Sequence, residues 1–524
     1  MIQTYALSTE ALDALGAGYG TVEVHHLLAA SQKSRRMLLV RALYDTARDA
    51  GLRRVEGFDD ALELFSRAQA AMPAAADEVL HDPFFGVWAG DAIREPVGRL
   101  RMFGAYAAAA AVRAGVPFRI AVPAPGGRAT LPGLGTISGL DGASAVLEGG
   151  PDGLRAGAVH VTAPLTVSQP GWEPLRRLRS GIAVDDADLH RDCFEWPPEA
   201  RLDDAAAAEF GESLEAALHL LDEHHPEHAA GIRATLRSLV PVTAPGGGNV
   251  SAASRRAYGA IALQARGTAA ELALSLMHEC RHMTLGAVLD LVDLYEPVGS
   301  ARHFAPWRAD PRTVSALLQG TYAHAGVTDF WRVERRRTGA AAAEFEFAYW
   351  LAQTSAGARS LLTSGELTPR GERFVTRLAE RLRRWEGEAV GSDVRAAASA
   401  SVLAVSVQWR LDNARPDPGG VARLAAAWRG GADCPAAPAT EIRPSRARPA
   451  RVPALADQQR QRIVGETAIV RGDTDDVWIR LALEAGRGPL VECPEVVRAV
   501  CGATGADPSH LAGWITSAAA RYRS

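Results

Sequence analysis

The stretch from Ala270 to His282 restricts this chain more than any other. Eight mostly apolar residues, Ala270-Glu271-Leu272-Ala273-Leu274-Ser275-Leu276-Met277, lead directly into His278-Glu279-Cys280-Arg281-His282. Apolar residues at this density and spacing form a helix with a buried face, and in a helix residues four apart lie on one side about one turn from each other. His278 and His282 therefore share a face, with a carboxylate beside them, in the pattern H-E-x-x-H. A solvated helix would not be so apolar around its charges, and polar groups taken into an interior need partners. A divalent metal gripped by the two imidazoles is such a partner.

Composition narrows the class. The chain has 524 residues, 47% hydrophobic and 23% charged, which is ordinary globular usage and enough for a sizeable core. A net charge of −4 gives no electrostatic reason to expect nucleic acid or an anionic membrane as partner. Cys193, Cys280, Cys434, Cys493 and Cys501 are scattered, with no C-x-x-C pair, so neither a thiolate zinc finger nor an iron–sulfur cluster is indicated. The pattern suits a reduced, cytoplasmic setting. No secretory signal is expected at Met1–Tyr5, and the longest apolar stretch, Ala105–Val112, is too short to span a bilayer.

Periodicity divides the chain into sections. Residues 1–115 read as helical, with apolar residues at three- and four-residue spacing in Ser34–Ala50 and Asp59–Ala71. From Pro117 to Pro164, short β-like runs (Phe118–Val122, Ala145–Leu147, Ala158–Val161) alternate with Gly, Pro and Asp turns, which predicts a small antiparallel sheet. A second helical stretch covers Asp203–Leu239. Strands follow at Leu239–Val242 and Gly259–Leu263, with Gly246-Gly247-Gly248 between them. The motif helix is expected from Thr268 to Leu294, and further helices from Val314 to Leu411. Residues 116–415 would form the metal-binding catalytic region. Pro416–Ala454, rich in Pro, Arg and Ala, reads as a linker, and 455–524 as a small helical tail. The expected fold is α+β and predominantly helical, with the metal helix next to a small antiparallel sheet. It is not a double-stranded β-helix, which would read as many short strands.

A catalytic metal takes at least three protein ligands and keeps positions open. The long zinc-protease motif is excluded, because Leu285 and Val288 stand where it requires Gly and His. Glu296, Glu334, Glu344, Glu346, His303 and His324 are the candidates for the third ligand. His324 is favoured, on a helix that could run antiparallel to the metal helix. His219, His224, His225 and His228 also cluster, but Pro226 interrupts the helix and Asp222, Glu223 and Glu227 give it the look of a solvated end. His25-His26 is read the same way.

Four segments carry a family resemblance. They are Ser238–Pro241 leading to Ser251–Ala260; Leu276–His282 with Ala287–Val292; Ala305-Pro306-Trp307-Arg308-Ala309-Asp310-Pro311-Arg312; and Leu317–His324. Weaker stretches, Glu346–Trp350 and Leu367–Pro369, continue it. Together they resemble the HExxH-motif proteins found beside or fused to radical S-adenosylmethionine peptide maturases in actinobacterial natural-product clusters. The resemblance is loose over residues 1–410 and good over 238–370. Cys280 stands where a bulky aromatic is common in that family, and it points off the metal face. No maturase half is recognisable. The resemblance implies an iron(II)- and 2-oxoglutarate-dependent β-hydroxylase of a ribosomally made precursor peptide, working with a separate radical SAM maturase or with none.

Such chemistry needs His278, His282 and a third ligand on iron, with the remaining positions for the keto-acid end of 2-oxoglutarate and for O₂. The remote carboxylate of 2-oxoglutarate calls for a bidentate cation, which points to Arg308, with Arg312 and Arg302 as rivals. Arg308 could equally pair with Asp310. Glu279 would be a ligand or a group orienting a histidine. The competing reading is a zinc metallopeptidase on the same helix, with Zn²⁺ in place of iron and Glu279 as general base.

Overall fold

A computed structural model describes residues 4–244, 250–297, 302–443, 459–463 and 477–521. Gly246-Gly247-Gly248 and residues 444–454 of the expected linker lie outside the described residues. The chain forms two compact units, Met1–Ala11 with Tyr19–Val292 and Leu12–Gly18 with Asp293–Ser524. This division falls at residue 292, whereas the sequence suggested boundaries near 115 and 415.

Helix α1 (Thr9–Gly16) runs from the first unit into the Leu12–Gly18 segment of the second. The first unit then continues with α2 (Val22–Asp49), α3 (Phe58–Ala71), α4 (Pro73–His81), α5 (Phe85–Arg94) and α6 (Phe103–Ala114). Over Phe103–Ala111 helix α6 is apolar and buried on every side, as such a segment must be. Its small residues let it lie directly on strand β1 (Phe118–Pro123): a Cβ on Gly104 would sit 2.4 Å from the Ala121 carbonyl oxygen. Phe58, Phe85, Trp88, Phe103 and Tyr106 stack around this contact in the main core. Strands β2 (Ala129–Leu131), β3 (Gly135–Ile137), β4 (Ser144–Gly150), β5 (Gly153–Ala156), β6 (Val159–Thr162) and β7 (Trp172–Pro174) make two antiparallel sheets, ordered β1-β4-β5-β6 and β2-β3-β7.

The sheet beside the motif is different. It is five-stranded and ordered β11-β12-β10-β9-β8, built from β8 (Arg176–Arg177), β9 (Ala183–Val184), β10 (Ser238–Pro241), β11 (Ser251–Ala253) and β12 (Ala260–Leu263). β10 runs parallel to both β9 and β12, so this sheet is mixed and not antiparallel as expected. The connection explains it. Parallel neighbours need a long crossover, and α7 (Asp204–His224) with α8 (Pro226–Thr235) supplies one between β9 and β10. No sheet closes on itself among the described residues.

Helix α9 (Ala269–Leu289) carries the motif. Thr268 and Glu271 form a reciprocal capping box at its start, which satisfies two of the orphan N–H groups there. Leu272, Leu276 and Met277 are fully buried, each worth about 1.5–3 kcal/mol of transfer free energy. The helix stops five residues before the expected Leu294. Asp290 caps it and accepts hydrogen bonds from Gln32 (3.0 Å) and Arg255 (2.7 Å).

The second unit is a helical array of α10 (Val314–Thr338), α11 (Ala341–Leu362), α12 (Pro369–Glu386) and α13 (Ser392–Asn413). Asp13, in the Leu12–Gly18 segment, is clamped by Arg373 of α12 at 2.6 and 2.7 Å and by Arg377 at 3.1 Å. Part of the expected linker is folded. Ala414–Pro416 pairs with Thr440–Ile442, and Pro418–Arg429 is a helix that buries Leu424 and Ala425. Its start is an N-cap: Asp417 accepts from the Gly420 N–H at 2.7 Å, and Pro418 sits at the first helical position, where its missing N–H costs nothing. Four further helices span Val477–Ala485, Pro489–Glu492, Pro494–Thr504 and Pro508–Arg521. Among the described residues no helix is long and apolar enough to cross a membrane.

Candidate metal centre

One turn of α9 brings the two motif imidazoles together. Their Nε2 atoms are 3.1 Å apart, with ring centroids at 4.8 Å and planes at 76°. At a metal–nitrogen length of about 2.1 Å, a 3.1 Å separation corresponds to an angle of about 95° at a shared ion, close to neighbouring positions of an octahedron. The donor set and spacing thus fit a divalent ion held by His278 and His282. Among the described residues no three His, Cys, Asp or Glu side chains are gathered as a metal-binding group.

Glu279 sits differently. It is 5% exposed, and its Oε1 accepts from Ser251 Oγ at 2.8 Å. The sheet register explains a second bond. Gln264 N donates to Val250 O, so in the antiparallel β11–β12 pair it is Ala252 that next bonds inward. The Ala253 N–H points off the outer edge of the sheet and donates to Glu279. Burial raises the Glu279 carboxyl above its usual range, while His282, Ser251 and Ala253 pull it back in part. Ser251 has no signature in the sequence, because its role depends on strand register. Cys280 is buried at 6% exposure, and burial pushes its thiol up.

His324, Arg308 and Arg312 belong to the second unit, as do the other candidates for the third ligand. His324 Nδ1 lies 2.8 Å from the Gly320 carbonyl, which can only accept, so that nitrogen donates. The ring stacks on Trp307 at 4.3 Å and 14°, and its centroid lies 4.8 Å from that of Trp350 at 33°. Trp307 is seated between two glycines. A Cβ on Gly320 would be 2.4 Å from its Nε1, and one on Gly357 would be 3.1 Å from its ring edge.

Three of the candidate carboxylates are engaged. Glu334 receives Arg337, Glu346 receives Trp350 and Arg460, and Glu344 receives the Gly391 N–H. His303 Nε2 is 2.5 Å from Glu366 Oε2, a half-buried pair that the sequence did not suggest. Arg308 and Arg312 both bind Asp310, at 3.1 and 2.8 Å, which is the alternative weighed for Arg308 from its sequence neighbours. Burial would raise the Asp310 carboxyl, but Arg312 and Arg308 hold it below the usual range.

The second histidine cluster is only partly what its sequence suggests. His219 and His224 lie near Glu223, at 3.9 and 3.7 Å, as at a solvated helix end. His225 and His228 are instead buried, because Pro226 starts α8 and turns them inward. His25 is buried as well. Its Nε2 donates to the Tyr19 carbonyl at 2.7 Å, and the Tyr19 ring meets His228 edge-on.

No protein-family model matches the chain, and no curated protein matches it.

Proposed function

We propose that this chain is an iron(II)- and 2-oxoglutarate-dependent hydroxylase of a peptide substrate. The observation that carries the reading is the disposition of the motif. His278 and His282 converge on one point, while Glu279 is withdrawn into the β11 edge under Ser251 and Ala253. In the competing zinc-peptidase reading, Glu279 would have to face a metal-bound water and take its proton. A carboxylate already accepting two internal hydrogen bonds suits a positioning role better.

Bound there, ferrous iron with 2-oxoglutarate supplies the oxidising power to hydroxylate an unactivated C–H. His278 and His282 hold the ion, and Glu279 fixes the α9 backbone against the sheet so that both rings keep one orientation. For His324 as third ligand, and for Arg308 or Arg312 on the remote carboxylate of 2-oxoglutarate, the proposal rests on the sequence resemblance. So do the ribosomal precursor peptide as substrate and the separate radical SAM maturase.

The test is anaerobic titration of the purified full chain with Fe(II), followed by 2-oxoglutarate, reading bound iron by metal analysis and succinate release on admitting air. Wild type is expected to bind iron and release succinate. His278→Ala and His282→Ala are expected to lose both with unchanged circular dichroism. Glu279→Gln, whose amide oxygen can still accept from Ser251, is expected to keep most of its iron. Tight zinc together with a peptide cleavage abolished by Glu279→Gln would overturn the proposal in favour of a hydrolase.

A further inference from the structure

The first unit contains a second feature that the histidine motif leaves unused. A cavity of about 890 Å³ opens between α2, α4, α7, α8 and the strand ends near β9 and β10. Asp82, Asp185 and Ser238 are among its lining residues, and they are 9%, 5% and 3% exposed. The strands dictate part of this. Ser238 pairs with Ala183 in the parallel β9–β10 ladder, so Ser238, Ala183 and Asp185 project to the same face.

The polar groups there are not matched. Asp82 accepts only the Phe84 N–H, at 2.9 Å, and Asp185 only the N–H groups of Ala187 and Asp188, at 3.2 and 2.8 Å. Asp188, behind them, is 2% exposed and has one carboxylate oxygen without a partner. Among the described residues no Arg, Lys or His forms an ion pair with any of the three. The nearby guanidinium groups are directed elsewhere: Arg36 donates to the carbonyls of Leu80 and Tyr258, and Arg113 to those of Ala109 and Pro132. Ser238 Oγ is buried and has no hydrogen-bond partner at all. Buried charges are ordinarily paired, and leaving one unpaired is costly. Burial, reinforced by Asp185, pushes the Asp82 carboxyl up to about 6.

On the rim three cations already have acidic partners. Lys33 pairs with Asp77 at 2.9 Å, Arg237 with Glu78 at 3.7 Å, and Arg233 with Asp222. Arg177 donates to the carbonyls of Gly181 and Gly133. At Lys33, Arg233 and Arg237 an anionic ligand would compete with carboxylates already in place, whereas a cation would meet Asp82 and Asp185, which have no ion-pair partner among the described residues. A hard metal ion would want six or more oxygens, and no metal-ligand group is gathered here among the described residues. The walls include Leu175, Ile182 and Leu218, which suit a carbon skeleton.

We infer that this cavity is a binding site for an organic cation, a primary ammonium or guanidinium group, received by Asp82, Asp185 and the Ser238 hydroxyl. Two sources share that chemistry, a free amine and a basic side chain of a peptide. The inference is independent of the histidine motif.

Isothermal titration of the full chain at pH 8 tests it with agmatine, n-butylamine and a short peptide containing one arginine, each against MgCl₂ and CaCl₂. Saturable binding of at least one organic cation is expected, weakened tenfold or more in Asp185→Asn and in Asp82→Asn. Both variants keep the backbone hydrogen bonds that the carboxylates accept, and circular dichroism checks their fold. Agmatine without the peptide assigns a free amine, and the peptide bound more tightly assigns a side chain; both uphold the site. No heat from any organic cation, binding unchanged in both variants, or competitive displacement by Mg²⁺ or Ca²⁺ at lower concentration would overturn it.

Discussion

Gly320→Ala offers a test whose sign, and not only its size, depends on the structure. Gly320 lies inside α10, and in an ordinary exposed helix interior replacing glycine by alanine stabilises by about 0.5–1 kcal/mol. Here the new Cβ would stand 2.4–2.5 Å from three atoms of the Trp307 indole. Ordinary contact begins near 3.4 Å, so the ring must retreat by about 1 Å. It cannot slide towards α11, because the Gly357 notch already holds its edge, and His324 stacks on it at 4.3 Å. Overpacking of this kind costs about 1–3 kcal/mol. Net of the propensity gain, Gly320→Ala should lower stability by about 0.5–2 kcal/mol, or several degrees in the melting transition of a unit this size. Gly502 is the control. It is helical, and a Cβ there would meet nothing within 4 Å, so Gly502→Ala should raise the same transition. Differential scanning calorimetry reads both. The mechanism predicts coupling as well: in a Trp307→Ala background, Gly320→Ala should become neutral or stabilising, a non-additivity of about 1–3 kcal/mol. A Gly320→Ala protein melting at or above wild type would refute the wedge. If His324 is a metal ligand, the same variant should also bind iron more weakly.

Two titration predictions follow from buried and clamped carboxylates. Asp13 is held down to about 2 by the hydrogen bond from Arg373, against burial and with help from Arg377, so its contribution is present above the unfolded value near 3.8 and is lost as pH falls towards 2. Urea unfolding of wild type and Asp13→Asn should therefore differ most at pH 6 and converge as pH drops from 4. Asp82 has the opposite sign. Burial lifts it to about 6, so the unfolded state releases that proton first and the folded protein loses stability as pH rises from 4 to 6. Asp82→Asn should be more stable than wild type at pH 8 and indistinguishable from it below pH 4; a variant less stable at pH 8 would show that the carboxylate is paired.

Much of the architecture is legible in local pattern. The helices of 1–115 and of Val314–Leu411, and the strands at Phe118, Ala145, Val159, Leu239 and Gly259, follow from spacing and turn residues alone. What local pattern could not show is pairing. The parallel alignment of β10 with β9 is a consequence of where α7 and α8 return the chain, and no residue in either strand records it. The Pro418–Arg429 helix was hidden by composition. Asp417-Pro418-Gly419-Gly420 reads as linker by its glycines and prolines, yet Asp before Pro is also an N-cap before a first helical residue. Only the burial of Leu424 and Ala425 decides between the two.

The same contrast runs through the candidate site. His278 and His282 meet because four residues make about one turn, a relation written within the sequence itself. Glu279 is bound by Ser251, 28 residues away, and by a backbone N–H whose direction is fixed by alternation along β11. Neither could be read without the register. The unpaired Asp82, Asp185 and Asp188 are further still from legibility. Asp185 and Asp188, in a polar, turn-rich stretch, read as solvated, and all three become anomalous only when the fold buries them and turns the neighbouring arginines to carbonyls. Motifs of short period thus announce the histidine pair, while unmet charge, which requires the whole interior to be assembled, announces the cavity.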